Sequence, residues 1–343
     1  MARLRRVDCS RPGIRRLRRG RGFTYADEHG NRVTDDETLE RIRKLAIPPA
    51  WEDVWICPLA NGHIQAVGTD ARGRKQYRYH DDWRLRRDRE KFDQMLDFGR
   101  ALPRLRRRVA KQVQGTEPTR ERVLAGAVRL LDRGFFRIGG EPYAEENNSY
   151  GLATMLRRHV RLEPRNVLVF DYPAKSGKRR LQSVVDPDVH RLVAELKSRR
   201  GGSEELLAYK NGRRWHDVRS ADINEHVKAL TGGDFSAKDF RTWNATVLAA
   251  VEVARAEAGA TSRTARQRVI KQAVESVASY LGNTPAVARA SYIDPRVFDC
   301  FDADVTIAGA LSGDGEPDLD DPTILRRIER AVLDLLSDEN GPA

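Results

Sequence analysis

The sequence predicts an α+β protein in which a small, mainly antiparallel β domain precedes a mostly helical domain with a small three-stranded sheet. Short strand-like runs separated by turn signals fill the first ~85 residues. From residue 82 onward, apolar residues recur at helical spacing, and strand-like alternation returns between residues 159 and 185. A chain of 343 residues can build two domains, each with its own core.

These patterns divide the chain into four segments. The first, residues 1–22, is a flexible basic arm, and residues 23–89 form the β-rich domain. Residues 90–312 form the helical domain, and residues 313–343 form an acidic segment that contains one helix.

In the β-rich domain the turn signals separate one helix from several strands. The Asn61-Gly62 pair is a strong tight-turn signal, because both residues accept the backbone angles of a two-residue hairpin loop. The predicted elements are a hairpin at 23–32, a helix at 34–46, and strands at 54–57, 63–69 and 75–80.

In the helical domain the longest periodic runs are the best defined. Ser236 and Asp239 have the spacing of a capping box, which predicts a helix start there. The predicted helices are 89–113, 119–131, 150–157, 187–200, 221–231, 237–258, 262–281 and 322–337, and the predicted strands are 159–162, 166–172 and 179–185.

The charge distribution indicates a polyanionic partner. The formal net charge is +12, and nine arginines lie within the first 21 residues. Further basic blocks lie at residues 84–89 and 104–111. A solvated basic surface is the alternative explanation, but separate basic blocks along a folded chain favour nucleic acid.

Cysteine content and hydropathy indicate the compartment. Cys9, Cys57 and Cys300 are odd in number and widely spaced, which fits neither a disulfide framework nor a metal site. No apolar run approaches the length of a membrane span. We therefore expect a cytoplasmic, nucleoid-associated protein without a membrane contact.

The strand at residues 75–80 is a candidate surface for DNA. Tyr77 and Tyr79 share one face because side chains alternate along a strand. Aromatic side chains interleaved with basic and amide groups suit contact with sugar, phosphate and base edges. Packing of the two rings against the inner face of the sheet is the alternative. The candidate DNA-binding residues are Arg74, Lys75, Gln76, Tyr77 and Tyr79.

The stretch of residues 282–292 is the candidate position of a nucleophile. It follows a long helix and contains Thr284-Pro285, which suits a new helix start. A short helix then ends at Tyr292, just before Asp294-Pro295. A tyrosine held on a short element of a basic protein can act as a nucleophile, although a half-buried structural aromatic is the ordinary case.

A tyrosine that cleaves a phosphodiester needs cations around it. Guanidinium groups stabilise the charge that develops on the non-bridging oxygens, and a cation such as lysine protonates the leaving oxygen. Arg137, Arg241, Lys175 and Tyr292 supply these groups without a metal or a nucleotide. The sequence shows no Walker-type loop, metal-ligand cluster or dinucleotide fingerprint, so we expect no cofactor.

Five stretches in order resemble a type IB DNA topoisomerase of the compact bacterial and poxvirus kind. They cover most of residues 23–300, whereas the basic arm and the acidic tail lie outside them. The stretches are 68–79, 136–139 with 146–152, 170–178, 238–242 and 282–292.

The resemblance implies a fold and a mechanism. It implies that Tyr292 attacks the scissile phosphate to form a DNA 3′-phosphotyrosyl link, that Arg137 and Arg241 stabilise the developing charge, and that Lys175 protonates the 5′-oxygen. Rotation about the intact strand then relaxes supercoils, and religation follows. The two halves would clamp duplex DNA, with no obligate protein partner and a monomeric enzyme.

One position departs from the pattern of that family. A histidine often lies nine residues before the tyrosine, and here that position is Asn283. Asparagine can donate a hydrogen bond to a phosphate oxygen but cannot carry a positive charge. The resemblance therefore implies a weakened version of the histidine's role.

Two other functions remain open from the sequence. Tyrosine recombinases resemble this chain in chemistry, but their second arginine usually follows a His-x-x-Arg pattern, and the corresponding position here is Lys238. A non-catalytic architectural DNA-binding protein would explain the charge without the tyrosine. Covalent trapping of DNA distinguishes this last class from the enzymes.

Overall fold

The structure is a computed structural model that describes residues 3–311 and 317–337. The chain divides between Asp93 and Gln94 into two compact units. The division falls inside one long helix, α2 (Asp81–Gln112), as does the boundary near residue 89 that we expected from the sequence. Residues 312–316 and 338–343 lie outside the described residues, and all of them except residue 312 belong to the predicted acidic segment of residues 313–343.

The N-terminal unit is built on a five-stranded antiparallel sheet with the order β2-β1-β3-β4-β5. Its core consists of Ile14, Ile42, Val54, Ile56 and Ala66, which come from three strands and the single helix that packs on the sheet. The elements are β1 Ile14–Arg19, β2 Gly22–Ala26, α1 Asp36–Lys44, β3 Glu52–Ile56, β4 Ile64–Thr69 and β5 Lys75–Tyr79.

The prediction that residues 1–22 form an arm outside the fold is wrong for β1. This strand lies between β2 and β3, and Ile14 is part of the core. The arginines are compatible with a strand because one face of the sheet is open to solvent. The half-buried Arg16 is satisfied by backbone, since its guanidinium donates to the carbonyls of Pro48 (3.1 Å) and Trp51 (2.6 Å).

The hairpin expected at residues 23–32 does not form, and β1 and β2 form a hairpin in its place. The first half of the expected hairpin is β2, but the partner is the preceding strand β1, and the turn lies at Gly20, whose φ is +58°. Only an isolated bridge joins Ala26 to Arg32. The arginine-rich sequence of β1 does not show the apolar pattern of a strand, and the sequence therefore predicts the turn at Gly30-Asn31 instead of at Gly20.

The C-terminal unit is mostly helical and carries the small three-stranded sheet, as predicted. The antiparallel sheet has the order β6-β7-β8, and a second, unpredicted two-stranded sheet is formed by β9 and β10. The strands are β6 Val160–Glu163, β7 Val167–Pro173, β8 Arg179–Val185, β9 Ala208–Asn211 and β10 Arg214–Asp217. The helices after α2 are α3 Arg120–Gly134, α4 Glu141–Asn147, α5 Pro187–Ser198, α6 Ser220–Thr231, α7 Ala237–Arg255, α8 Arg263–Leu281, α9 Pro285–Ser291, α10 Arg296–Asp302 and α11 Pro322–Leu336.

The predicted helix at residues 150–157 does not form. The amide of Leu152 donates to the Arg137 carbonyl at 2.8 Å, and the amide of Ala153 donates to Ile138 at 2.7 Å. This backbone pairing needs a crossing so close that a Cβ on Gly151 would lie 2.4 Å from the Cα of Gly139. Long-range pairing therefore overrides the local helical pattern here.

The central helix of this unit is α7, which is contacted by α3, α6, α8, α10 and α11. Its Trp243 is fully buried, and a Cβ on Gly99 of α2 would lie 2.7 Å from the indole ring. The indole nitrogen donates to Glu329 of α11 at 2.9 Å. The C-terminal helix is thus attached to the core through a buried polar contact as well as through apolar packing.

Glu329 also takes part in a buried ion network. Arg106 of α2 donates to both oxygens of Asp132, at 2.8 and 2.9 Å, and to both oxygens of Glu329, at 2.6 and 2.8 Å. Burial opposes the charge on Arg106, but the two carboxylates outweigh it and raise the pKa of the guanidinium. One arginine therefore joins α2, α3 and α11.

We predict that Glu329→Ala destabilises the protein by about 3–5 kcal/mol, because it removes one partner of a buried charge and the acceptor of the Trp243 indole. Denaturant unfolding monitored by circular dichroism measures this change. Arg330→Ala is the matched control, since its side chain is exposed on the same helix and its loss shifts stability by less than about 0.5 kcal/mol. Equal stability of the two variants would contradict the structural role of the network.

Candidate active site

The segment that carries Tyr292 is fixed at both ends by capping interactions. Helix α8 ends at Gly282, whose φ of +63° lies in the left-handed region that favours glycine. Helix α9 then begins at Thr284, whose hydroxyl accepts from the amide of Val287, with Pro285 in the first turn. Tyr292 is the C-cap residue of α9, and its amide donates to Ala288 at 3.0 Å.

The backbone after the tyrosine is attached to α7. The hydroxyl of Thr246 donates to the Tyr292 carbonyl at 3.3 Å and accepts from the Asp294 amide at 3.1 Å. The fully buried carboxylate of Asp294 forms an ion pair with Arg296 at 2.8 Å. The phenol is therefore held on a backbone that is connected to the core helix.

Arg241 projects from α7 against the tyrosine ring. Its side chain is buried, and the guanidinium carbon lies 5.1 Å from the centre of the Tyr292 ring. The guanidinium donates to the carbonyl of Phe135 and, at 3.1 Å, to the carbonyl of Leu281. Its Nε atom is buried and has no hydrogen-bond partner among the described residues.

Arg137 approaches the same place from the chain that follows α3. Phe135, at the end of this helix, has a φ of +53°, which turns the chain toward the site. The Arg137 guanidinium donates to the Gly282 carbonyl at 3.3 Å and to the side-chain oxygen of Asn283. The amide nitrogen of Asn283 is buried and has no hydrogen-bond partner in the described part of the chain.

The two arginines lower the pKa of the tyrosine. Burial would raise the pKa of the Tyr292 phenol, but Arg241 and Arg137 outweigh burial, so the pKa lies below its ordinary value of 10. Neither Arg241 Nε nor Asn283 Nδ2 reaches the phenol oxygen with hydrogen-bond geometry, although both residues lie close enough to contribute to this shift. Burial, followed by the like charge of Arg137, lowers the pKa of Arg241 to about 10, so Arg241 stays charged at neutral pH.

Lys175 lies at the tip of the β7–β8 hairpin. Its side chain is exposed, and it forms no hydrogen bond or ion pair with any residue that the structure describes. A pocket of about 290 Å³ brings the amine together with Tyr292, Arg137 and Arg241. Four of the five predicted catalytic residues therefore line one pocket, and Asn283 adjoins it through Arg137.

Four polar residues that the sequence did not single out as site residues line the same pocket. Lys238 precedes Arg241 by one helical turn, so the helical spacing was a usable signal for it. The others, Tyr143, Ser149 and Tyr150, lie on α4 and the loop after it. Their positions depend on the close backbone crossing of Gly139 and Gly151, which has no local sequence signal.

The candidate DNA-binding strand lies in the N-terminal unit. Tyr77 and Tyr79 are 40% and 39% exposed, and their rings stack with centroids 6.0 Å apart, so they do not pack into the sheet core. Arg74 and Gln76 both donate to Asp70, at 2.7 and 2.9 Å. Lys75 is exposed on the same strand. The five residues are therefore near one another, but two of them are held by a carboxylate.

In the part of the chain that the structure describes, neither unit shows features of a metal site or a membrane-spanning helix. No group of three or more His, Cys, Asp or Glu side chains in the described part of the chain could hold a metal ion. Within residues 3–311 and 317–337, no helix combines the length and apolar character that crossing a membrane requires.

Two family models match the chain. Residues 78–300 match the model described as eukaryotic DNA topoisomerase I, catalytic core. Residues 22–70 match the model described as bacterial DNA topoisomerase IB, N-terminal domain. Both units of the structure therefore contain residues matched by a topoisomerase model.

Individual proteins give the same result. The chain is 30% identical over 297 residues to DNA topoisomerase 1B of Acanthamoeba polyphaga mimivirus, which covers 82% of this chain and 85% of the viral protein. It is 26% identical over 161 residues to DNA topoisomerase 1 beta of Arabidopsis thaliana, covering 47% of this chain and 16% of the plant protein. The match to DNA topoisomerase 1 of Schizosaccharomyces pombe is 30% over 139 residues, covering 40% of this chain and 16% of that protein.

We predict that Tyr292 ionises earlier than an ordinary tyrosine. In a spectrophotometric titration, the difference between the wild type and Tyr292→Phe will show a phenol with a pKa below 10, because Arg241 and Arg137 stabilise the phenolate. Tyr172→Phe is the contrasting variant, since burial raises the pKa of Tyr172 to about 12. A wild-type minus Tyr292→Phe difference titration with a phenol pKa of 10 or higher would contradict this electrostatic explanation.

Proposed function

The chain belongs to the type IB DNA topoisomerase family, and on that premise we propose which of its residues relax supercoiled duplex DNA. The pocket around Tyr292 supports the assignment most strongly, because it combines a phenol of lowered pKa with two guanidinium groups and an amine. This is the set of groups that phosphodiester cleavage by a tyrosine requires.

The proposed reaction begins with the phenolate. Tyr292 releases its proton to solvent, and its oxygen attacks the scissile phosphorus to form a 3′-phosphotyrosyl bond. The bond between phosphorus and the 5′-oxygen breaks in the same step, and the Lys175 ammonium group gives that oxygen a proton and becomes an amine. The transesterification conserves bond energy, so religation by the 5′-hydroxyl reverses it without ATP.

The two arginines and Asn283 stabilise the charge on the non-bridging oxygens in this proposal. Arg241 and Arg137 are fixed by backbone carbonyls before substrate arrives, and such preorganised donors are the largest source of transition-state stabilisation in many enzymes. The unpartnered amide nitrogen of Asn283 is a further donor. As a neutral donor it contributes about 1–3 kcal/mol to the oxyanion at most.

The N-terminal unit contributes a second DNA contact in this proposal. The stacked, exposed rings of Tyr77 and Tyr79 and the amine of Lys75 offer apolar and cationic groups together. Arg74 and Gln76 can join them by exchanging Asp70 for phosphate or base atoms. Closure of the two units around one duplex stays a prediction.

We also propose the setting in which the enzyme works. The match of residues 22–70 to a bacterial N-terminal domain supports a bacterial enzyme of the cytoplasm that is associated with the nucleoid. Catalytic groups for one complete site come from a single chain, which supports a monomer that acts on duplex DNA.

The nucleophile can be tested by covalent trapping. Incubation with supercoiled plasmid in EDTA without ATP, stopped with detergent, will give relaxed plasmid and protein-linked DNA for the wild type. Tyr292→Phe removes only the attacking oxygen, so it will bind duplex DNA with wild-type affinity but give neither product. Tyr280→Phe is the control, because this exposed tyrosine of α8 lies outside the pocket. Relaxation by Tyr292→Phe at the wild-type rate would refute the assignment.

The N-terminal contact can be tested separately. The double variant Tyr77→Ala/Tyr79→Ala will bind duplex DNA at least about tenfold more weakly at fixed salt, since stacking of an aromatic ring on sugar or base contributes about 1–3 kcal/mol. Leu59→Ala, which truncates another exposed apolar side chain of this unit, will bind normally. Unchanged affinity and cleavage in a folded double variant would assign the two rings to surface packing alone.

A further inference from the structure

Arg180 of β8 connects the hairpin that carries Lys175 to the end of α8. Its guanidinium donates to the Ser279 carbonyl at 2.9 Å and to the Tyr280 carbonyl. These carbonyls belong to the last turn of the helix that precedes the nucleophile segment. Arg180 is half-buried, and it was not among the residues that the sequence singled out.

The guanidinium of Arg180 is held in place from its own strand as well. Its Nε donates to the side-chain oxygen of Gln182 at 2.8 Å, and Gln182 donates in turn to the Gly134 carbonyl at the end of α3. The neighbouring Arg179 differs in its partner, since it forms an exposed ion pair with Asp171 at 2.6 Å. Of these two adjacent arginines, Arg180 therefore contacts backbone carbonyls of α8, whereas Arg179 contacts a carboxylate on β7.

Among the described residues, Arg180 supplies the side-chain hydrogen bonds between the hairpin and α8. The turn of the hairpin is closed by bonds within residues 174–178, where the Ala174 amide donates to Lys178 at 2.8 Å. On the β7 side, the Tyr150 amide donates to the Pro173 carbonyl at 2.8 Å. On the β8 side, Gln182 contacts the end of α3, and Arg180 contacts the end of α8. Helix α8 packs along α7, and β8 packs on α3, so Arg180 joins the hairpin to a second helix of the same unit.

Resting on the function proposed above, we propose that Arg180 is a positioning residue that docks the β7–β8 hairpin on the end of α8 and so holds Lys175 beside the leaving 5′-oxygen. Arg180 does not touch the phosphate in this role. Because proton transfer requires an approach of about 3 Å, a displaced hairpin slows the protonation step and leaves the phosphate contacts of Arg137 and Arg241 in place.

The test compares two substrates that differ in one atom. The first is a duplex with an ordinary scissile phosphodiester, and the second has sulfur in place of the bridging 5′-oxygen. A thiolate leaves without protonation, because the pKa of a thiol is far below that of an alcohol. A variant that is defective only in protonation will therefore recover on the sulfur substrate.

Single-turnover cleavage is measured for Arg180→Ala, Lys175→Ala and Arg179→Ala. On the ordinary duplex, Lys175→Ala will be slowed by about 10²–10⁴-fold, and Arg180→Ala by about 10–100-fold. On the sulfur substrate both will recover to near the wild-type rate. Arg179→Ala will differ from the wild type by less than about threefold on either substrate, because its ion pair is exposed.

A double variant separates positioning from general destabilisation. If Arg180 acts through Lys175, Arg180→Ala/Lys175→Ala will be no slower than Lys175→Ala alone. If Arg180 has a merely structural role, Arg180→Ala will slow cleavage of both substrates, and the rate loss of the double variant will be the product of the losses of the two single variants. Either result overturns the inference. If Arg180→Ala does not fold, Arg180→Lys is tested in its place, because the lysine ammonium group keeps one charged donor to the carbonyls. We then expect a smaller loss of cleavage rate on the ordinary duplex and recovery of that rate on the sulfur substrate.

Failure of this inference and failure of the proposed function have different signatures. If sulfur rescues Lys175→Ala but not Arg180→Ala, Lys175 is the proton donor and the positioning role is refuted. If sulfur does not rescue Lys175→Ala, the proposed role of Lys175 is refuted and the inference falls with it. Arg137→Ala, which lacks a charge at the non-bridging oxygens, will stay slow on both substrates.

Discussion

The candidate active site depends on the C-terminal end of α8, where four consecutive backbone carbonyls face three guanidinium groups. Cations that lie close together repel one another, and burial adds a desolvation cost. The end of a helix offsets both effects, because its last carbonyls lack helical partners and carry partial negative charge. Arg180 donates hydrogen bonds to the carbonyls of residues 279 and 280, Arg241 donates to that of residue 281, and Arg137 donates to that of residue 282.

Neutral partners leave the charge of these arginines available. A carboxylate would orient a guanidinium equally well, but it would also cancel the field that a phosphate needs. Arg106 shows the contrast within the same unit, since two carboxylates hold it and its role is to join helices. Arg137 and Arg241 are instead oriented cations, and in the proposed mechanism a phosphate that enters the pocket is the anion that completes their environment.

The sequence predicted the elements whose signals are local and missed those that depend on distant partners. Most helices, the three strands of the small sheet and the position of Tyr292 follow from periodicity and caps. The strand β1 was missed because its arginines resemble a solvated tail, although Arg16 is satisfied by carbonyls more than 30 residues away. Four predicted catalytic residues line one pocket. Tyr150, which lines the same pocket, and Arg180, which contacts the end of α8 outside it, could not be found, because a backbone crossing and a strand register set their positions.

The pairing of Arg74 with Asp70 has a consequence for how binding responds to ionic strength. Each phosphate that a free cation neutralises releases condensed counterions and steepens the salt dependence by about 0.9 in log–log slope. Arg74 already forms an ion pair with Asp70, so in the proposed DNA contact its transfer to a phosphate would exchange one ion pair for another and leave a carboxylate near the duplex. If this strand binds DNA as proposed, its contacts are partly decoupled from counterion release, and its stacked tyrosines would give a component of affinity that persists as salt rises.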